Sequence, residues 1–433
     1  MLEKARRLVL WRKAMDIKNL LVGKDKCECG MAHKCPIDHV IIGEDACSSL
    51  PSITNEYSSI LLVADRNTYR VCGEAVHNII KEKIADVLIY QTDGILVPDE
   101  VAIDELEGKV TDTTDLIIGV GSGVINDLCK IVSFKKGLRY FIVATAPSMD
   151  GYASKGSALI LDGMKVTLDA DVPKAIIADT KVLAKAPFEM IQAGYGDIIG
   201  KYSCLNDWRL SACIYNEYLC QFVMNATYAT VERTVALANG IKEKDAAAIG
   251  ALMEALVAVG ILMAYVGSSR PASGSEHHLS HYFEIVGIER GEDYLPHGID
   301  VCFSAIETAK VREKLLAIDD ISAYEYNFDR TDYESNIRRI YGSIADEVIA
   351  LQNKMRWYDI DRVSIYKEKW AEIKAILSDC PNSAEMLALC ERVGLNYADF
   401  TSLYGEEKIA DALLYAKDLK DRYSVLWMNY DLK

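Results

Sequence analysis

Residues 115–127 read DLIIGVGSGVIND, and this stretch indicates the fold of the first half of the chain. A short apolar run leads into a glycine-rich turn, and residues 124–136 then continue with helical spacing. Glycine at such a turn lets the backbone approach a ligand closely, and the amide groups at a helix start bind phosphate. The motif departs from a Rossmann fingerprint because Val124 stands at the third glycine position. On spacing alone, a phosphate-binding turn and a plain tight turn are equally good interpretations.

The segments around this turn alternate between strand and helix patterns. Apolar runs at 59–65, 86–91 and 139–147 predict three more strands, and helical spacing separates them. Near-continuous apolar strands that alternate with helices are typical of a parallel sheet covered on both faces. A further pair of short strands is expected around Asp162 and Gly163.

Strand patterns end near Pro187, and helical patterns dominate from there to the C-terminus. We therefore expect an α/β domain at 1–187 with a parallel, Rossmann-like sheet and an N-terminal extension at 1–55. An all-α domain is expected at 188–433, with the active site in the cleft between the two domains.

Composition excludes several classes of protein. The 433 residues are too many for one ordinary core, and 64 acidic against 48 basic residues give a net charge of −16. Such a chain is a poor nucleic-acid or anionic-membrane binder. The twelve cysteines are scattered, and the N-terminus lacks a signal-peptide pattern, so we expect reduced thiols in a cytoplasmic protein.

Residues 246–267 could span a bilayer, but Glu254 at the centre and the absence of basic flanks favour a buried helix without membrane insertion.

Histidine gives the sharpest functional signal. Four of the seven histidines lie between 277 and 297, and His277 and His281 share one face of a helix. His297 lies on the following segment and can fold back to meet them. Two imidazoles and one carboxylate with an open position make a catalytic divalent-metal site. Asp197, in the stretch GYGD, offers the carboxylate; its alternative role is a helix N-cap.

Two polar segments follow predicted strands. Asp65 ends the first strand, where an acid can accept hydrogen bonds from ribose hydroxyls, although an N-cap is the more common role. TAPSMDGYAS at 145–154 leaves the fourth strand at its carboxyl end, where ligands bind in open α/β sheets. Ser148 and Asp150 can face a cofactor or substrate there; a simple turn is the alternative.

A second His/Cys group lies near the N-terminus. Cys27, Cys29, His33 and Cys35 could supply four ligands, but their spacing is tighter than a standard zinc pair. We therefore favour a structural role without metal for this group; if metal binds there, it is structural and separate from the catalytic site.

The ordered set GxGSGxxND, TAPSMDGYAS, GYGD, SGSEHxxSH and PHG resembles sn-glycerol-1-phosphate dehydrogenase over residues 25–310 or so. The resemblance is closest to the longer bacterial branch, which carries an early CxCG-x2-H segment. The wider superfamily includes glycerol dehydrogenase, the iron-dependent alcohol dehydrogenases and 3-dehydroquinate synthase.

The resemblance implies a role for each matching residue. It implies metal ligation by Asp197, His277 and His297, with His281 as a second active-site histidine. It favours His277 over its neighbour His278. The implied catalytic residues are Asp150 and His281. The cofactor-binding residues assigned to the dinucleotide are Asp65, Asn67, Gly121, Ser122, Gly123, Asp127, Thr145, Ser148 and Ser154.

The resemblance further implies an oxidoreductase that interconverts dihydroxyacetone phosphate and sn-glycerol 1-phosphate. Its cofactors would be NAD(H), with NADP(H) as a second possibility, and one Zn²⁺, Ni²⁺ or Fe²⁺ ion. The expected assembly is a homodimer or larger homo-oligomer without nucleic acid. Candidate donors for the substrate phosphate are Lys155, Lys201, Arg209, Arg270 and Ser275.

Three other functions stay open from the residues. They are a glycerol dehydrogenase-like polyol oxidoreductase acting on an unphosphorylated substrate, a cyclase like 3-dehydroquinate synthase, and a nucleotide- and metal-binding regulator without turnover.

Overall fold

The computed structural model describes residues 16–91, 94, 96–161 and 164–433. The chain divides into two compact units. The first, called the sheet unit, comprises residues up to Tyr195 together with Asn225–Gly267. The second, called the helical unit, comprises Gly196–Met224 and Ser268–Lys433. The boundary expected at 187/188 lies close to the first change of unit, whereas nothing in the helical pattern after 188 signalled that 225–267 groups with the sheet.

The sheet unit is built on six parallel strands in the order β1-β8-β5-β4-β2-β3, which confirms the α/β fold class. Strands β2, β4 and β8 are buried almost throughout, because both faces of a parallel sheet are covered by helices. The strands are β1 His39–Gly43, β2 Ile60–Asp65, β3 Ile84–Tyr90, β4 Leu116–Gly121, β5 Arg139–Ala144, β6 Gly156–Leu161, β7 Met164–Asp169 and β8 Ala175–Asp179.

The strand order changes direction between β2 and β4. The chain passes from β2 to β3 on one side, and then to β4 and β5 on the other side. Ala64 of β2 pairs with Val120 of β4, so Asp65 and Gly121 end neighbouring strands at the same edge. Ligands of open α/β sheets bind at such a point, outside the carboxyl ends of the strands.

Strands β6 and β7 form an antiparallel hairpin beside the main sheet, as the sequence predicted. The turn predicted at Asp162 and Gly163 falls outside the described residues, but the pairing of Leu161 with Met164 brackets it.

Helices separate the strands along the chain and continue after the last strand to residue 266. The described helices in this part are α1 Ile17–Val22, α2 Leu50–Ile53, α3 Arg66–Thr68, α4 Glu74–Ile80, α5 Glu100–Lys109, α6 Gly123–Lys136, α7 Thr180–Leu183, α8 Phe188–Tyr215, α9 Gln221–Ala236, α10 Ala238–Lys242 and α11 Ala246–Val266. Within the described part of the chain, α11 is the one helix long and apolar enough to cross a membrane, and 83% of its most apolar window is buried. This burial agrees with the predicted core helix.

From residue 268 to 433, all of which the structure describes, helices alternate with loops and no strand is formed, as predicted. Its helices are α12 Ser275–Arg290, α13 His297–Leu316, α14 Arg330–Tyr341, α15 Ala345–Met355, α16 Arg362–Ser378, α17 Ser383–Arg392, α18 Tyr397–Tyr415 and α19 Val425–Asp431. Helices α12 and α13 pack against each other, and the start of α12 lies close to α8. A Cβ atom at Gly274, just before α12, would lie 2.6 Å from Cα of Cys204. The missing side chain therefore lets α12 begin against α8.

Candidate active site

Three histidines of the helical unit bring their rings together. His277 and His281 lie one turn apart on α12, and His297 is the first residue of α13. The ring centroid of His297 lies 5.1 Å from that of His277 and 5.4 Å from that of His281. The centroids of His277 and His281 are 6.4 Å apart. The predicted cluster therefore exists, and metal binding by it stays a prediction.

Asp197 of α8 joins this cluster. Its Oδ1 atom lies 3.5 Å from Nε2 of His277 and accepts a hydrogen bond of 2.6 Å from Nζ of Lys201. Asp197 is the tenth residue of Phe188–Tyr215 and therefore lies inside the helix, so the N-cap alternative does not apply. The sequence suggested that the helix begins at Asp197. It begins at Phe188 instead, so both glycines of GYGD lie inside it.

Glycines on both sides of Asp197 bring α8 close to α13. A Cβ atom at Gly196 would lie 2.3 Å from the carbonyl oxygen of Gly298, and one at Gly200 would lie 2.5 Å from Cγ1 of Val301. Both distances are too short for a real side chain. The glycines therefore allow the close helix contact that places the carboxylate beside the histidines.

The charged groups in this cluster shift each other's pKa values toward the ionised forms. Burial raises the pKa of Asp197, but Lys201 and the hydrogen bond with His277 outweigh burial and hold that pKa well below its usual range. Burial lowers the pKa of His277, but its hydrogen bonds with Asp197 and Glu276 outweigh burial and raise the pKa overall. Asp197 is therefore ionised at neutral pH.

Glu276 is a site residue that the sequence reasoning missed. It is fully buried, and its Oε1 atom lies 2.7 Å from Nδ1 of His277 and accepts a bond of 3.0 Å from the Gly274 amide. An ionised carboxylate only accepts, so Nδ1 of His277 donates to it, while Nε2 faces Asp197. An acid directly preceding the candidate ligand in SEHH was the signal that could have identified it.

The neighbouring residues explain the choice between His277 and His278. His278 is buried elsewhere, with Nδ1 3.4 Å from the Ser424 hydroxyl, and burial holds its pKa well below the usual range. The hydroxyl of Ser280, on α12, contacts Nδ1 of His297 at 3.1 Å. His277, and not His278, therefore shares the cluster with His297.

The residues present fit a divalent cation. One carboxylate and histidine nitrogens are the donors that Zn²⁺, Ni²⁺ and Fe²⁺ accept. Nδ1 of His277 is bonded to Glu276 and Nδ1 of His297 contacts Ser280, which is the outer-shell arrangement typical of metal-binding imidazoles.

The candidate phosphate donors have different surroundings. Lys201, a candidate donor to the substrate phosphate, is buried and forms an ion pair with Asp197. Arg270 is also buried, but its guanidinium binds Glu217, Ser211 and the carbonyl of Tyr423. Two further candidates are half-buried or exposed: Arg209 pairs with Asp379, and Lys155 is exposed. Ser275 at the start of α12 donates its amide to Asp207.

In the sheet unit, the glycine turn joins β4 to α6. Ser122 precedes the helix without a side-chain cap, and Gly123 is its first residue. A Cβ atom at Gly121 would lie 2.6 Å from Cβ of Ile125, so this glycine is required by packing. At Gly123 a Cβ atom would meet only Met149, at an ordinary 3.5 Å. The helix start can therefore accept a phosphate, while Gly121 also serves the tight turn.

Asp65 forms the N-cap that was its alternative role. Its Oδ1 atom accepts hydrogen bonds from the amides of Asn67 and Thr68, and the Thr68 hydroxyl accepts from the Asp65 amide. Asn67 is exposed next to it. The cap holds the carboxylate at the carboxyl edge of β2, which is also the position required for ribose binding.

The segment 145–154 is held firmly at the same edge of the sheet. The Thr145 amide donates to the carbonyl of Gly121 at 3.0 Å, which connects the segment to the glycine turn. The buried Nζ atom of Lys130 donates to the carbonyls of Gly151 and Gly156 at 3.0 and 2.7 Å. The Ser154 hydroxyl donates to Gly151 at 3.1 Å. These bonds tie the segment to the glycine turn, to α6 and to the start of the hairpin.

The remaining predicted residues lie within or near this segment. Asp150 is buried, and Ser148 is half-buried. Asp127 lies on α6, where its carboxylate pairs with Lys130 at 3.3 Å and accepts from the amide of Ala158 at 3.3 Å. The contacts of Asp127 therefore anchor the hairpin, a role that the sequence did not suggest.

The early His/Cys group also lies in the sheet unit. A ring nitrogen of His33 and the sulfur atoms of Cys27 and Cys29 lie within 4.8 Å of one another. Cys35 does not share this group; it is buried, and burial raises the pKa of its thiol to about 12. The structure therefore assembles three of the four predicted residues.

Comparison with known proteins places these features in a family. Residues 41–187 match the model of the iron-containing alcohol dehydrogenases. The chain is 35% identical over 302 residues to a glycerol-1-phosphate dehydrogenase (NAD(P)+) from Halalkalibacterium halodurans, covering 67% of this chain and 76% of the relative. A protein of the same name from Bacillus licheniformis is 28% identical over 409 residues, covering 92% of this chain and 90% of the relative.

A solved structure shows the same fold. The glycerol dehydrogenase from Schizosaccharomyces pombe aligns with a TM-score of 0.52 at 16% identity, covering 84% of this chain and 91% of that chain. At this identity the likeness concerns the architecture alone.

Proposed function

Because this chain belongs to the glycerol-1-phosphate dehydrogenase family, we propose that it interconverts dihydroxyacetone phosphate and sn-glycerol 1-phosphate with NAD(P)(H) and one divalent metal. The observation that carries this proposal is the convergence of Asp197, His277 and His297 within the helical unit of a chain from this family.

Asp197, His277 and His297 would hold the metal. When bound, a divalent metal would supply Lewis-acid polarisation of the carbonyl group that is reduced. Glu276 holds the imidazole of His277 with Nε2 facing Asp197, and Ser280 contacts Nδ1 of His297. These bonds fix both rings, so little reorganisation is needed when the substrate binds.

The sheet unit binds the cofactor. The turn Gly121–Gly123 would hold the pyrophosphate at the start of α6, and Asp65 would accept hydrogen bonds from the adenosine ribose. The segment 145–154, fixed by Lys130, orients the nicotinamide end. The cofactor carries the hydride, while the protein supplies its position and the surrounding charge.

The proton is moved by a side chain of the helical unit. His281 lies in the histidine cluster, with its ring centroid 5.4 Å from that of His297, and it would transfer a proton to the substrate oxygen directly or through one water. Asp150 is buried in the segment after β5, and we propose that it orients the substrate or the nicotinamide ribose.

The oligomeric state and the cellular compartment are also part of this proposal. We expect a cytoplasmic homodimer or larger homo-oligomer that binds the cofactor and a phosphorylated three-carbon substrate. Among the described residues the twelve cysteines form no disulfide, which fits a reducing compartment. Light scattering measures the oligomeric state.

The identity of the product tests this proposal. Metal-loaded protein with NADH and dihydroxyacetone phosphate should produce sn-glycerol 1-phosphate. That product should resist oxidation by a dehydrogenase specific for sn-glycerol 3-phosphate. Quantitative oxidation by that enzyme would show the opposite stereochemistry and reject the proposed reaction.

A further inference from the structure

The loop Lys24–His33 is closed by its own backbone. Lys24 and His33 exchange two backbone hydrogen bonds of 2.9 and 2.8 Å. Within the loop, the amide of Gly30 donates to the carbonyl of Cys27 at 2.9 Å, and Gly30 has a positive φ of 84°. Cys27 and Cys29 are thereby brought onto a tight turn opposite His33. This backbone presents three side chains of metal-binding type to one point.

The three side chains of this loop are close enough to share an ion. Sγ of Cys29 lies 3.3 Å from Nε2 of His33, and the ligand atoms of Cys27, Cys29 and His33 lie within 4.8 Å of one another. Ligand atoms on a tetrahedral zinc ion are separated by comparable distances, since each lies about 2.0–2.3 Å from the metal.

The hydrogen bonding of His33 orients its ring toward the sulfur atoms. Nδ1 lies 3.0 Å from the carbonyl oxygen of Tyr265, which can only accept, so Nδ1 carries the proton. Nε2 is then the nitrogen with the lone pair, and it faces Cys29. The ring is fully buried and stacks on the Tyr265 ring at 5.3 Å. A backbone carbonyl on the far nitrogen is the usual support of a metal-binding imidazole.

The loop has no apolar core of its own. Of the ten residues from Lys24 to His33, His33 alone is buried. A defined fold without apolar burial needs another source of stability, and a bound metal supplies it in small loops of this kind.

We propose that Cys27, Cys29 and His33 bind a structural Zn²⁺ ion in the sheet unit, in addition to the catalytic metal held by the helical unit. Two thiolates and one imidazole are the soft and borderline donors of structural zinc sites. The loop supplies three of the four donors that such a site requires. Zinc binding releases the protons of the two thiols. This proposal replaces the earlier expectation, based on the close spacing of the residues, that the group has a structural role without metal.

Metal analysis of the full-length protein tests this site. The parent should retain one zinc per chain after the catalytic metal is removed by mild chelation. The double variant Cys27→Ser/Cys29→Ser should lose this zinc, whereas Cys213→Ser, a change at another half-buried cysteine, should keep it. Asp197→Ala should also keep it, because the catalytic site is elsewhere. Equal zinc in the double variant and the parent would overturn the proposal.

A measurement on the unaltered protein guards against a double variant that fails to fold. Parent protein whose zinc is exchanged for Co²⁺ should show a thiolate-to-cobalt charge-transfer band, since Asp197 and the catalytic histidines supply no sulfur. The band should persist in Asp197→Ala. A cobalt-loaded parent without any thiolate band would reject the site, whatever the reaction catalysed by the chain.

Discussion

Nζ of Lys201 lies 2.6 Å from Oδ1 of Asp197, and both side chains are buried in the helical unit. The same Oδ1 atom is 3.5 Å from Nε2 of His277. Lys201 therefore neutralises the carboxylate of the proposed metal site. Burial of both partners distinguishes this pair from the weak ion pairs of a protein surface.

Replacing Lys201 with methionine should make the metal-free protein depend on added metal for stability. Breaking a buried ion pair leaves Asp197 uncompensated, so we expect the free energy of unfolding to fall by about 3–5 kcal/mol. A divalent cation should restore more stability to Lys201→Met than to the parent, because it neutralises the same carboxylate. Denaturant unfolding with and without Zn²⁺ measures both effects.

Lys109 offers a matched control for that experiment. It pairs with Asp86 at 3.0 Å, but its side chain is 40% exposed and that of Asp86 is 50% exposed. Lys109→Met should change stability by about 1 kcal/mol or less. Equal metal-free stability of Lys201→Met and Lys109→Met would contradict the role given to Lys201.

His277→Ala and Asp197→Ala should each remove the catalytic metal and abolish turnover while the fold survives. Each variant deletes one proposed ligand, and the far-ultraviolet circular dichroism should stay that of the parent. His39→Ala, at an exposed histidine of β1, should keep both metal and activity. Elemental analysis before mild chelation, minus the metal that remains after it, gives the content of catalytic metal. Full catalytic metal with retained activity in both ligand variants would show that the assignment is wrong.

Gly123→Asp should weaken NADH binding about tenfold or more. The added carboxylate lies at the start of α6, where the pyrophosphate binds, so like charges repel. The structure has room for the side chain because Cβ meets only Met149 at 3.5 Å, so loss of folding is not expected. Fluorescence titration with NADH measures the effect.

Gly108→Asp is the corresponding control. Gly108 lies on α5, and a Cβ atom at this position would have no neighbouring atom within 4 Å. The NADH affinity of this variant should match that of the parent. Similar losses in both glycine variants would point to a general charge effect and not to a pyrophosphate site.

Asp65→Asn should raise the use of NADPH relative to NADH. The carboxylate repels the 2′-phosphate, by about 1–3 kcal/mol in a partly buried site, and the parent should therefore prefer NADH. Asparagine keeps an oxygen that can accept from Asn67 and Thr68, so the helix cap survives. Steady-state kinetics with both cofactors measures the ratio.

The same substitution at another N-cap controls for stability. Asp99 caps α5 by accepting from the Ala102 amide, and Asp99→Asn should leave the cofactor ratio unchanged. A parent enzyme that prefers NADPH would overturn the role given to Asp65.

Local patterns predicted much of this architecture. The buried strands β2 and β4 were evident as continuous apolar runs, and His277 and His281 share a helix face because of their i, i+4 spacing. These features depend on residues close together in sequence, where periodicity is informative.

Features set by packing were harder to predict. Glu276 is oriented by its burial and by the Gly274 amide, and neither can be deduced from spacing. The cofactor role of Asp127 stays a prediction, but its contacts with Lys130 and the Ala158 amide, which join α6 to the hairpin, could not be predicted from the local pattern. The ion pair of Arg270 with Glu217 joins residues 53 positions apart, so no local pattern signalled it.

The most direct test of the account compares two substrates of the metal-loaded parent. NADH oxidation is followed with dihydroxyacetone phosphate and, separately, with dihydroxyacetone. A charge-assisted contact with the phosphate contributes about 1.5–3 kcal/mol, so kcat/KM should be about tenfold or more higher for the phosphorylated substrate. Equal or faster reduction of dihydroxyacetone would contradict the account and favour a polyol oxidoreductase resembling glycerol dehydrogenase.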